Sequence, residues 1–207
     1  MTLTEVKKVI KKQLGNFLKK YGYKFDSKAE SYLRYFDGGY NRVGTTIVDY
    51  RIKFKISFYF SIRFNAVEEI VQKYSFVLEG YREYTWSLHT SIDYFTGFKE
   101  YAINSEESLL DLLNEINEVY SSKIDDFLKQ YSDIERVDEA LNVQHANIGF
   151  MSTADDYIRP VVIAKLVGNK DFDEVANWYY KKYVEEYSLD TEGPNKIKEV
   201  VGYLKTL

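Results

Sequence analysis

From Val48 to Phe64 apolar and polar residues alternate without a break. Val48, Tyr50, Ile52, Phe54, Ile56, Phe58, Phe60, Ile62 and Phe64 fall on one side, and Asp49, Arg51, Lys53, Lys55, Ser57, Tyr59, Ser61 and Arg63 on the other. A period of two predicts a half-buried β-strand. Fully extended, such a run would span roughly 56 Å at about 3.3 Å per residue, well beyond the usual strand of about five or six residues. It is therefore expected to bend, around Ser57 or at a bulge, and to curl around a helix. Just upstream, Ser31 to Phe36 reads as a shorter strand, and Asp37, Gly38 and Gly39 mark a turn, so the two form an antiparallel hairpin. Alternation returns downstream, with Tyr84, Trp86, Leu88, Thr90 and Ile92 opposite Glu83, Thr85, Ser87, His89, Ser91 and Asp93. This predicts a further strand.

Elsewhere the apolar period is helical. Thr2 and Glu5 form a candidate capping box, after which Val6, Val9, Ile10, Leu14, Phe17, Leu18 and Tyr21 recur along one face until Gly22, which predicts a helix from about Leu3 to Tyr21. Its polar face carries Lys7, Lys8, Lys11, Lys12, Lys19 and Lys20. Asn65 with Glu68 reads as a cap for a short helix through Val67, Ile70, Val71 and Tyr74, and "YSFVLEG" beyond it as strand or loop. Ser105, with Glu106 and Glu107 in the first turn, opens a longer helix striped by Leu109, Leu112, Leu113, Ile116, Val119, Tyr120, Ile124, Phe127 and Leu128. Ser132 with Glu135 is expected to cap another, and Thr153 to Asp156 to start one that ends at Gly168 with Pro160 near its beginning. Asp171 with Glu174 and then Pro194 mark the last two starts. Between them "NVQHANIGFMST" reads as a loop, and the helices flanking "GNKDFD" suit an αα-hairpin.

These elements predict an α+β fold: an N-terminal helix packed on a curved antiparallel β-sheet, followed by a C-terminal set of about five helices. A chain of 207 residues with 45% apolar content is long enough to bury a sizeable core. It is read as one domain, with helix and sheet in residues 1–100 and helices in 101–207. No apolar run approaches the roughly 18 residues of a membrane span, and the lysine-rich start is unlike a secretory signal, so a cytoplasmic location is expected.

The net charge of −4 conceals an asymmetry. Residues 1–64 hold ten Lys and four Arg against five acidic residues, net +9, while the remainder holds fourteen basic and twenty-seven acidic residues, net −13. Arg51, Lys53, Lys55, Tyr59 and Arg63 are thereby singled out as a candidate binding face, combining cations with an aromatic ring as single-stranded nucleic acid requires. The alternative is that the face is solvated or pairs with the protein's own acidic helices.

Other chemistry is sparse. The chain has no Cys, which excludes disulfides and thiolate chemistry, and its two histidines, His89 and His145, stand far apart in sequence. Ser87, His89, Ser91 and Asp93 share one side of a strand, but no nucleophile-elbow glycines accompany them. Adjacent carboxylates such as Asp125 and Asp126 point about 100° apart on a helix and make a poor acid–base pair. "DGGYNRVG" lacks the Lys and Ser/Thr of a phosphate-binding loop and leads into a strand where the motif requires a helix. No metal and no cofactor is expected.

The opening helix leading into "LKKYGYKF" (Leu18 to Phe25), "SYLRYF", the long alternating run, "LLDLLNEINEVYSSKIDDFLKQYSD" and "VVIAKLVGNKDFDEV" together resemble the bacterial family known as domain of unknown function 4304. The resemblance spans most of the chain and rests on apolar periodicity and turn residues. It implies a small cytoplasmic bacterial protein of a kind found among candidate immunity or accessory proteins near toxin genes. That family has no assigned reaction, so no functional residues carry over. Three functional expectations result: a non-enzymatic protein-interaction module acting through its acidic C-terminal helices or exposed tyrosines; a nucleic-acid binder using the basic sheet face and first helix; and an enzyme centred on His89 and Asp93.

Overall fold

A computed structural model describes residues 1–75, 79–97, 101–149, 154–187 and 192–207. The fold is α+β, as the periodicities predict. In chain order the elements are α1 (Leu3–Leu18), β1 (Lys24–Asp26), β2 (Ser31–Phe36), β3 (Gly39–Asp49), β4 (Phe54–Phe64), α2 (Asn65–Val71), β5 (Leu88–Ser91), α3 (Asp93–Thr96), β6 (Ala102–Ile103), α4 (Glu106–Val119), α5 (Asp125–Gln130), α6 (Ile134–Asp138), α7 (Ala154–Leu166), α8 (Phe172–Glu186) and α9 (Gly193–Leu204). Contacts group the chain into two compact units, residues 1–62 with 89–130 and residues 63–88 with 131–207. No helix among the described residues is long and apolar enough to cross a membrane.

In the first unit α1 begins at the expected capping box: Thr2 N–H donates to Glu5 Oε2 (2.7 Å) and Glu5 N–H to Thr2 Oγ1 (3.3 Å). Val6, Ile10, Leu14 and Leu18 are buried, and the lysines lie outward. A single 3₁₀ turn, Lys19–Tyr21, follows and stops at Gly22, whose φ of 83° suits a residue without a Cβ. The helix packs on the sheet through Tyr32, whose hydroxyl donates to the Lys11 carbonyl (2.8 Å) beside Gly15.

The sheet runs β1-β2-β3-β4-β5, with β6 pairing antiparallel to β4, and does not close into a barrel. The β2–β3 hairpin closes through Asp37 and Gly38 alone, since Phe36 faces Gly39, and Gly38 takes a φ of 81°. At the other end of β2, Asp26 Oδ1 accepts the Lys28 and Ala29 amides (both 2.8 Å), a tight turn that returns the chain to β1.

The single run expected from Val48 to Phe64 is two strands joined by a turn. Asp49 Oδ1 captures the Arg51 amide (2.7 Å), Arg51 takes a φ of 68°, and Tyr50 N–H donates to the Lys53 carbonyl (3.0 Å). An aspartate that binds the backbone two residues on offers the chain a turn in place of the ladder. The bend therefore lies here and not near Ser57. Val48, Tyr50 and Ile52 are consequently 41%, 52% and 85% exposed, while Phe54, Ile56, Phe58, Phe60, Ile62 and Phe64 are buried as the alternation predicts.

Ser105 caps α4 as expected, and Tyr120–Ile124 then forms a π-helical turn leading into α5. The wider turn explains why Ile116, Tyr120, Ile124 and Leu128, each four residues on, all remain buried. Tyr120 donates to the Tyr23 hydroxyl (3.1 Å) and meets Phe17 and Tyr21 edge-on. Nearby, Asp125 binds Arg34 Nη1 and Lys129 Nζ, each at 2.6 Å. Burial pushes the Asp125 carboxyl up, but the hydrogen bonds from Lys129 and Arg34 outweigh it and hold the group below the usual aspartate range.

In the second unit α2 opens at Phe64 without a side-chain cap, and Asn65, expected to be the cap, instead accepts Arg63 Nε (3.1 Å). Residues Glu79–Tyr84 form a 3₁₀ turn, so the strand expected from Tyr84 shortens to β5. Distant partners compete here: the Thr85 carbonyl and hydroxyl bind Arg63, and Ser87 Oγ accepts the Phe64 amide, which draws this stretch out of the ladder. Phe76–Leu78 of "YSFVLEG" and the expected helix start at Thr153 lie outside the described residues. Asp133, one residue beyond the expected Ser132, caps α6 by accepting the Glu135 amide (2.9 Å). Gly168, with φ 69°, ends the helical turns after α7, and α8 folds back against α7 as the predicted hairpin.

At the centre of this unit Glu68 is 0% exposed. It accepts Arg159 Nε (2.9 Å) and Nη2 (3.2 Å) and the Ser87 hydroxyl (3.0 Å), while Arg159 Nη1 donates to Asp156 (2.8 Å). A buried charge held this way is costly to orphan.

Two outcomes are expected in urea titrations. Arg159→Met destabilises by about 3–5 kcal/mol because Glu68 is left alone, and adding Glu68→Gln recovers part of the loss. Because Asp125 titrates below its unfolded value, its contribution is complete above about pH 4 and falls away as pH drops through the folded pKa. Asp125→Asn therefore lowers stability at neutral pH and flattens the acid limb of the stability profile below about pH 4.

Candidate functional site

The five residues of the proposed basic face do not form one row. Arg51 sits in the β3–β4 turn, Lys53 just before β4, and Lys55 and Tyr59 half-buried on β4 opposite its buried phenylalanines. Arg63, in the second unit, is 7% exposed and donates through Nη1 to the Arg82 and Thr85 carbonyls and the Thr85 hydroxyl. Tyr59 is tied to β3: its hydroxyl accepts Arg42 Nη2 (3.0 Å), whose guanidinium also binds Ser31 Oγ (2.9 Å) and the Ala29 carbonyl (3.1 Å). Gly44 makes room for the Tyr59 ring, which a Cβ there would overlap.

His89 Nδ1 lies 2.9 Å from Ser61 Oγ, a residue only 1% exposed, so the hydroxyl that this imidazole could activate is closed to a substrate. Ser91 donates separately to Asp93 Oδ2 (3.3 Å). His145, in the other unit, stacks on Trp178 at 4.4 Å beside a recess of about 350 Å³. Lys182 Nζ lies 4.8 Å from the same indole, and Glu186 accepts the Tyr157 hydroxyl, so the walls of this recess are engaged with each other. Among the described residues, no group of three or more potential ligands is placed to hold a metal ion.

The more open feature is a recess of about 610 Å³ in the first unit, between α1, the β1–β2 turn and β3. It exists because β2 and β3 differ in length. The register of β2 with β3 stops at Tyr32 opposite Val43, whereas β3 continues to Asp49. The turn at Asp26–Ala29 draws the chain away, and Glu30, with φ 45°, ends the departure.

Strand parity shows what β3 presents there. In a two-residue hairpin the pair beside the turn exchanges both hydrogen bonds, and so does every second pair. Residues 39, 41 and 43 therefore turn their backbone groups toward β2. At the other end Tyr50 and Lys53 flank the β3–β4 turn, so residues 50, 48, 46 and 44 turn theirs toward β4. Both turns assign the same parity, and the N–H and C=O of Thr45, Ile47 and Asp49 face the side that β2 has left. The lining agrees: Ile10 and Tyr32 come from one face of the sheet, Gly44 and Tyr59 from the other, which places the opening at the strand edge.

Lys7 and Lys11 form the helical wall, and Lys11 Nζ lies 3.9 Å from the centroid of the Phe25 ring, a side chain 37% exposed. Of the residues singled out in the sequence, the recess gathers Tyr59 and two lysines of the first helix. The β3 edge itself offers backbone, and its one carboxylate, Asp49, is engaged by the Arg51 amide. Its one advance signal is the Asp26 turn, which limits β2 to six residues while the alternating chain beyond runs on.

A scan against models of known families matches none, and no curated protein and no solved structure matches the chain.

Gly44→Ala is expected to cost about 1–3 kcal/mol, as overpacking against an aromatic ring does. The penalty shrinks in the background of Tyr59→Leu, a non-additivity measurable by urea denaturation of the four-variant cycle.

Proposed function

We propose that the protein is a non-enzymatic interaction module whose first-unit recess receives a segment of another protein. One observation carries this reading: a strand edge that no other described strand shares and a lysine-bearing helix wall converge on a single recess. A backbone edge with nothing beside it is a binding surface for a polypeptide and a hazard otherwise, and proteins ordinarily cover or blunt such edges. The reading agrees with the proposed kinship to the domain of unknown function 4304 family and with an immunity-like or accessory role in the bacterial cytoplasm. It moves the contact surface from the acidic C-terminal helices to the lysine-bearing recess of the first unit.

Nucleic-acid binding is the second reading, favoured by Lys11 beside the partly exposed Phe25 ring, a cation and a stacking surface in one place.

A photo-crosslinking residue at Thr46, exposed in the recess, separates the two in the native host. The interaction reading expects a nuclease-resistant protein adduct that disappears in the Lys7→Glu/Lys11→Glu variant. A nuclease-sensitive adduct, together with binding to single-stranded DNA or RNA that falls steeply above about 50 mM salt, transfers the recess to the second reading. No adduct of either kind sinks both.

A further inference from the structure

We infer that the recess takes its partner as a guest β-strand: an extended, acidic peptide segment pairs its backbone with Thr45, Ile47 and Asp49 of β3. This rests on the reading of the recess as a protein-interaction site and adds the partner's conformation and charge.

The backbone supplies the first argument. Among the described residues β2 is the strand on this side of β3, and its register ends at Val43. Beyond that point the chain leaves through the Asp26 turn, so a guest would occupy the line along which β2 would otherwise continue. The free stretch, Gly44–Asp49, accommodates a guest of about five or six residues, close to the ordinary length of a strand. Pairing with it makes new main-chain hydrogen bonds without displacing any that β3 makes to β2 or β4. Affinity then comes from backbone pairing, and selectivity from alternate side chains.

Charge supplies the second. Apart from its single Glu5, α1 carries only basic charged residues, and both Lys7 and Lys11 reach the recess. One helical turn separates them, about 6 Å along the axis at 1.5 Å per residue. Alternate side chains of a strand repeat at about 6.6 Å, so two carboxylates at positions i and i+2 of the guest match two lysines at i and i+4 of the helix. Glu30 is the one carboxylate among the lining residues, and it sits at the β2 end; Asp49, at the far end of the pairing stretch, has its Oδ1 on the Arg51 amide. Along the helix wall itself a basic guest would face two lysines.

The probe is the blocked, fluorophore-labelled peptide Ac-TEVEVET-NH₂, followed by anisotropy against the full chain. Two analogues, N-methylated on the three glutamates or on the two valines, block opposite edges of the same strand. Strand addition expects the parent to bind, one analogue to lose at least about tenfold in affinity and the other to retain it, since a guest pairs along one edge only. It also expects the TKVKVKT counterpart to bind more weakly, and Lys7→Glu/Lys11→Glu to invert that preference. Hydrogen exchange of the complex should slow the Thr45 and Ile47 amides and leave Gly44 and Thr46 unchanged. Because Lys7 and Lys11 are exposed, the charge-reversed variant should fold, and the methylated peptides test the pairing with the protein unaltered.

Equal binding of both analogues and the parent overturns strand addition while leaving an acidic docking site, provided the charge reversal still abolishes binding. Failure of the parent peptide to bind also overturns it, and the Thr46 crosslink then decides independently whether the recess receives a protein at all.

Discussion

β3 is held at each end by a turn with two central residues, Asp37 and Gly38 before it and Arg51 and Ile52 after it, and both turns impose the same parity on the strand between them. A slip of one residue would reverse every side chain and every backbone group at once. The parity that buries Val43 on the helix side and sets Gly44 against Tyr59 also turns the backbone of Thr45 and Ile47 outward. Core packing and open edge are thus two expressions of one register, and the recess cannot be closed by sliding the strand.

The chain's charges are managed differently in the two units. In the first, Arg34 and Arg42 are drawn into bonds with Asp125, Ser31 and Tyr59, while the lysines of α1 lie outward. In the second, the charges that matter for stability are inside, where Glu68 gathers Arg159 and Ser87. A formal count therefore overstates the basic patch: Arg63, counted among its cations, spends its guanidinium on carbonyls of its own unit. The surplus that remains at the surface is lysine, concentrated on one helix.

Much of the fold was legible because apolar periodicity and local caps are short-range signals. Thr2 with Glu5, Ser105, the Asp37–Gly38 turn and the buried phenylalanines of β4 stand where the sequence places them. What escaped depended on competition between a local signal and a periodic one. At Val48 to Ile52 alternation continued across a turn that Asp49 makes with its own side chain, and the apolar residues there ended up exposed. In the stretch before β5, Arg63 and Phe64 claimed the polar groups of Thr85 and Ser87, an interaction between residues about twenty positions apart that no window reveals. The candidate recess was the least legible feature, since it consists of backbone and arises from two strands of unequal length. Tyr59, the basic helix and the Asp26 turn were its signals in the sequence.

The interleaving of the two units has a temporal side. Residues 63–88 emerge during synthesis before 89–130, which complete the first unit, and their own partners follow only in 131–207. At about 5–20 residues per second, the segment waits on the order of ten seconds for the last of them. During that interval Val67, Ile70 and Val71, buried in the finished protein, have no native surface to cover them, and Glu68 has no arginine. The nascent chain thus carries an apolar, charged insert between the two halves of the first unit for as long as its own partners are still to be made.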